Sequence, residues 1–124
     1  MSPFASTLFY IAAALMLLDA VSYSLGAIRP IRAGINAPNP YWDRRLLLIL
    51  LLANMELYFT ALFTFIGAFL AGTTPQAALP VLVLSTLVCL YSGVSVTLLT
   101  PKDFWHALPR VLAAVLLIAG LLIH

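Results

Sequence analysis

Charged side chains are scarce in this chain, at 8% of 124 residues, where a water-soluble domain carries about a quarter. That scarcity excludes an aqueous surface over most of the molecule. A single cysteine, Cys89, excludes an internal disulfide and reads as a small buried hydrophobe. The two histidines, His106 and His124, stand at opposite ends of the last hydrophobic segment, which rules out a bis-histidine haem within one chain. No His, Cys and carboxylate set has ligand spacing, so no metal centre is expected. There is no glycine-rich phosphate loop and no nucleophile motif, so neither a catalytic set nor a cofactor is predicted. The basic residues are too few and too dispersed for a nucleic-acid footprint.

Apolar residues, in contrast, make up 64% of the chain and fall into four runs, about Phe4–Ile28, Leu46–Ala71, Ala77–Leu99 and Leu108–Ile123. A helix needs about 20 residues to cross roughly 30 Å of hydrocarbon. The first three runs meet this length and the fourth is marginal. Each run is preceded by a capping residue and a proline: Ser2-Pro3, Asn39-Pro40, Thr74-Pro75 and Thr100-Pro101. Ser, Thr and Asn accept bonds from the free N–H groups of a first turn, and proline fits the first helical position. The expected spans are therefore residues 4–28, 41–71, 76–99 and 102–123, in one domain covering 1–124. Pro80 is early in the third and Pro109 should bend the fourth. Tyr41, Trp42, Phe104 and Trp105 suit headgroup-level anchors. The first run lacks a basic leader and a small-residue cleavage site, so it reads as a span and not a signal peptide.

The connections are short, and short links make sequence neighbours antiparallel. The fold expected is an all-α membrane protein, a four-helix transmembrane bundle running up-down-up-down. Orientation follows from the six basic residues, Arg29, Arg32, Arg44, Arg45, Lys102 and Arg110, which all fall between runs one and two or between run three and the first residues of run four. The positive-inside rule then puts loops 29–40 and 99–108 in the cytoplasm and both termini on the other side. A multi-pass protein of a bacterial inner or plasma membrane is the expected setting.

Asp19 and Glu56 stand inside apolar runs, where an acid at the bilayer centre costs about 2.5–3.5 kcal/mol. Counted from Ile28 and Leu46, both lie about 13–15 Å above the cytoplasmic boundary. On a helical hairpin they would face one another, and with no buried base near them they would not both ionise. Tyr23, Asn54, Tyr91 and Ser92 fall at a comparable level, so a polar cluster drawn from three helices is expected. Such a cluster suits a proton or cation site, or simply bridges helices at about 0.6 kcal/mol per bond. Arg29, Arg32, Arg44 and Arg45 set topology and attract anionic lipid headgroups, or cradle a carboxylate-bearing ligand. Tyr58, Phe59, Phe63, Phe65 and Phe69 crowd the far half of the second run, as packing, lipid contact or a lipophilic groove.

The segment from Arg44-Arg45 through Asn54-Met55-Glu56-Leu57-Tyr58-Phe59 resembles the second helix of the membrane-associated eicosanoid and glutathione metabolism family, as does the four-helix layout with a basic first loop. The likeness implies trimers that conjugate or isomerise lipophilic substrates with glutathione. The chain departs from that family where Asn54 and Glu56 are two apart instead of three. It departs again where aliphatic residues among Leu47–Leu51 replace an arginine, and where Tyr91 and Gly93 stand without an arginine–tyrosine pattern.

Three functions follow as expectations. The leading one is a non-enzymatic accessory or structural subunit of a homo-oligomeric or larger membrane complex. The second is a small oligomeric transporter using Asp19 and Glu56. The third is a lipid-modifying or glutathione-dependent enzyme using the arginine cluster.

Overall fold

The computed structural model describes residues 3–25, 40–99 and 104–123, all helical except a turn at Thr74 and a wider π-type turn at Ser24–Leu25. Helix α1 covers Pro3–Tyr23, α2 Pro40–Thr73, α3 Pro75–Leu99 and α4 Phe104–Ile123. The first three begin on a proline, whose missing N–H is no loss in a first turn. Between α2 and α3 the chain turns on one residue. Thr74 N–H donates to the Leu70 carbonyl at 2.6 Å, and the Thr74 carbonyl accepts from Ala77 and Ala78 at 3.0 and 3.1 Å. Thr74 thus closes one helix and opens the next. Pro80 and Pro109 are both accommodated inside helices.

Three helices carry stretches long and apolar enough to cross a membrane: Pro3–Tyr23, Leu51–Thr73 and Pro75–Leu98. The fourth expected span falls short on this measure, because its apolar stretch is Ala107–Ile123. Including Phe104, α4 has 20 residues, about 30 Å at 1.5 Å per residue. Helix α2 is longer than a bilayer requires, at 34 residues.

Helix α1 packs against α2 and α4, and α3 against the same two. Among the described residues the backbones of α1 and α3, and of α2 and α4, do not approach closely, and these diagonal pairs meet only through side chains such as Met16 and Cys89. The inward face of α1 is Ala5, Phe9, Ala12, Met16 and Ala20, a helical stripe of mostly small residues. It meets Leu57, Ala61, Ala68 and Ala71 of α2, Ala78, Leu82 and Cys89 of α3, and Ala113, Ala114 and Leu117 of α4. Alanine at the seams lets backbones approach closely, which is how helices associate where lipid removes the hydrophobic drive. At two places the approach tolerates only glycine: a Cβ at Gly120 would collide with the Phe9 ring, and one at Gly67 would come 2.7 Å from Leu82 Cδ2.

Outward, the bundle shows Leu, Ile, Val and Phe along all four helices, among them Leu18, Leu48, Phe69, Leu84 and Leu122. Water would not solvate such a surface, and hydrocarbon does. Polar side chains that are buried mostly bond their own helix. Thr60, Thr64, Thr86 and Thr97 each donate to the carbonyl four residues back at 2.7–2.8 Å, which satisfies the hydroxyl without a partner helix.

Candidate functional site

The polar residues of the chain divide between two places on the bundle, not one. The first is interior. Asp19, on the inward face of α1, accepts from Arg110 Nε at 2.7 Å, and Arg110 Nη1 donates to Ser92 Oγ at 2.9 Å. Only 11% of the Arg110 side chain and 8% of that of Asp19 is exposed. Three helices are joined by this contact: α1 through Asp19, α3 through Ser92 and α4 through Arg110. The guanidinium fork makes the triple junction possible, because Nε and Nη1 point at separate acceptors.

This corrects the expectation that Asp19 lies opposite Glu56 with no base between them. Its partner is a base, contributed by the helix farthest away in sequence. Along α1, Asp19 is four residues from Tyr23, about 6 Å along the axis. Ser92 joins Asp19 as expected from its level, through Arg110. Tyr91, its neighbour, points the other way and is 78% exposed. Tyr23 is partly buried and packs on the edge of the core.

Beside this junction a smaller polar knot ties α1 to α2. Asn54 Nδ2 donates to Ser24 Oγ at 2.7 Å, and Ser24 Oγ lies 3.1 Å from the Ala20 carbonyl and 3.3 Å from the Tyr58 hydroxyl. Asn54 and Tyr58, four residues apart on α2, thus converge on one serine that the sequence did not single out. Asn54 Oδ1 is buried and has no partner among the described residues.

The second place is exterior. Glu56 is exposed, two residues and about 160° around α2 from Asn54. It lines a groove of about 610 Å³ between α2 and α3 whose walls include Leu52, Phe59, Phe63, Leu84 and Val88. Thr60 and Ser85 are its other polar members, and Thr60 already donates to the Glu56 carbonyl at 2.8 Å. The Glu56 carboxyl has no hydrogen bond or ion pair among the described residues. Along α2 it stands five residues past Leu51, where the Leu51–Thr73 apolar stretch begins, or about 7–8 Å along the axis.

Of the arginine cluster, Arg29 and Arg32 lie outside the described residues. Arg44 and Arg45 lie on the α2 backbone, with their side chains outside the description. No group of three or more His, Cys, Asp or Glu residues among those described could hold a metal ion. Cys89 is buried, its thiol 3.5 Å from Met16 Sδ. No protein-family model matches the chain, and no curated protein or solved structure is significantly similar to it. The likeness to the eicosanoid and glutathione family therefore rests on the four-helix layout and on specific residues of α2 alone.

Proposed function

We propose that the chain is a non-enzymatic integral membrane subunit that works by packing against another membrane-embedded helix. The observation that carries this reading is Glu56, a carboxyl with no partner among the described residues, on the lipid-facing side of α2 in a mostly apolar groove. An acid is not retained at low cost facing hydrocarbon, and such residues pair with something. Asp19, the other acid of the expected site, is already engaged by Arg110, so it supports a structural role and leaves Glu56 to act alone. Among the described residues the seams between helices are packed with alanine and with the close contacts of Gly67 and Gly120.

In this reading all four helices cross the bilayer up-down-up-down, with loops 29–40 and 99–108 cytoplasmic and both termini opposite. Supporting contacts pair the start of α1 with the end of α4 (Phe9 with Gly120) and the end of α1 with the start of α4 (Asp19 with Arg110). Likewise Tyr10 meets Phe65 and Ser24 meets Asn54, as antiparallel neighbours would. Extraction from native membranes in a mild detergent tests the proposal. The chain should migrate with a mass well above its own 13.4 kDa plus detergent. A monodisperse single-chain species under those conditions would rule the subunit reading out.

A further inference from the structure

We infer that the occupant of the α2–α3 groove is a transmembrane helix of another protein carrying a lysine or arginine at the level of Glu56. The inference rests on the subunit reading and adds the chemistry of the partner.

Shape comes first. On α2 the groove is lined at positions 52, 55, 56, 59, 60 and 63, and on α3 at 81, 84, 85 and 88. These are the i, i+3, i+4, i+7 spacings of single helix faces. The stripe on α2 therefore runs about 16 Å along the axis, three turns. A channel of that form, apolar and open on one side between two parallel walls, matches the seam a third helix would occupy. A compact ligand would leave most of its length uncovered.

Charge comes second. Among the described residues of the lining Glu56 is the only ionisable side chain, and an acid held in apolar surroundings selects a cationic partner. The described side chains of a second copy of this chain supply none at that level. Among the described side chains the one base is Arg110, and it is bound to Asp19 and Ser92 inside its own bundle. Arg44 and Arg45 precede Glu56 by twelve and eleven residues on the same helix, so a neighbour in the same orientation presents them about 16–18 Å away along the axis. A foreign helix with a basic residue some two turns inside its end meets the carboxyl directly, and its aliphatic stem lies along Phe59 and Leu52.

The test uses the full chain, donor-labelled in phosphatidylcholine vesicles, with acceptor-labelled polyleucine transmembrane peptides. One peptide carries a single lysine at the depth of Glu56, a second carries leucine there and a third glutamate. Energy transfer should show the lysine peptide associating about 10-fold more tightly than the leucine peptide. Glu56→Leu should bring the two peptides to equality, and Glu56→Lys should move the preference to the glutamate peptide. Because Glu56 is exposed, both variants should keep the wild-type helical signal. Equal association of the lysine and leucine peptides overturns the inference, as does a preference that survives Glu56→Leu. Glu56-dependent self-association of the chain in peptide-free vesicles overturns it by assigning the groove to a second copy. Glu56-dependent binding of dodecyltrimethylammonium without any lysine-peptide preference overturns it by assigning the groove to a small amphiphile. None of these failures touches the subunit reading, which the native-membrane mass decides separately.

Discussion

Arg110 and Asp19, ninety-one residues apart in sequence, close the bundle by joining α4 to α1 at 2.7 Å. Removing one partner leaves a buried group without compensation, whereas removing both leaves only apolar volume. Arg110→Leu should therefore lower unfolding stability in detergent by about 3–5 kcal/mol. The double variant Asp19→Leu with Arg110→Leu should recover most of that loss. Two single losses that simply add in the double variant would show that the pair does not interact.

The Ser24 knot should respond asymmetrically. Ser24→Ala removes the acceptor of the Asn54 amide, whose oxygen is already buried without a partner. An entire amide is then unpaired, at a cost of about 1–3 kcal/mol. Asn54→Leu removes the amide itself and leaves Ser24 its bond to the Ala20 carbonyl, so it should be the milder change. Thermal unfolding of the two variants side by side decides the order.

Two glycines should part company when replaced by alanine. At Gly120 the new methyl meets the Phe9 ring, with Cδ1 and Cζ both at 3.0 Å, and a ring cannot bend aside. Overpacking of this kind costs about 1–3 kcal/mol. At Gly72 nothing lies within 4 Å, so alanine should add helix propensity of up to about 1 kcal/mol. If Gly120→Ala is silent, the α1–α4 seam is looser than described.

Glu56→Leu should be harmless to the isolated chain, within about 0.5 kcal/mol of wild type, because no described group holds that carboxyl. The same change should release the chain from its native complex, read as a shift to lower mass. A fall in the stability of the purified chain would mean instead that Glu56 serves the fold.

Topology can be read with single cysteines in a Cys89→Ser background. A membrane-impermeant reagent should reach Thr74→Cys from one face of sealed vesicles and Gly34→Cys from the opposite face. Labelling of both from the same side contradicts the up-down-up-down path.

Much of the scaffold was legible in the sequence. Proline after a capping residue marks the first residue of α1, α2 and α3, because the physics of a first turn is local. Hydrocarbon length likewise needs only counting. The site was legible in part. Asp19 and Glu56 were visible as acids in apolar runs, and the 160° between Asn54 and Glu56 already separated them around α2. Which acid faces inward is a question of helix rotation, which Phe9, Met16 and Ala20 settle for Asp19 by packing on three other helices at once. Arg110 was read as part of a basic connection because it follows Lys102 and Pro109 in sequence. The expected span 102–123 already held it, but its place inside the bundle depends on the rotation of α4, which turns Arg110 toward Asp19 and Ser92. The unassigned Ser24 carried no signal of its own, since a serine at a helix end is common and its three neighbours come from two helices.

Helix α2 has one more consequence. Its 34 residues extend about 51 Å, and fitting that length within roughly 30 Å of hydrocarbon would demand a lean beyond the 0–40° that membrane helices adopt. If α2 crosses a bilayer, its surplus length must therefore continue past the acyl chains as helix. Asp43, Arg44 and Arg45 stand near one end of that length, so whatever approaches there from the water meets a helical post.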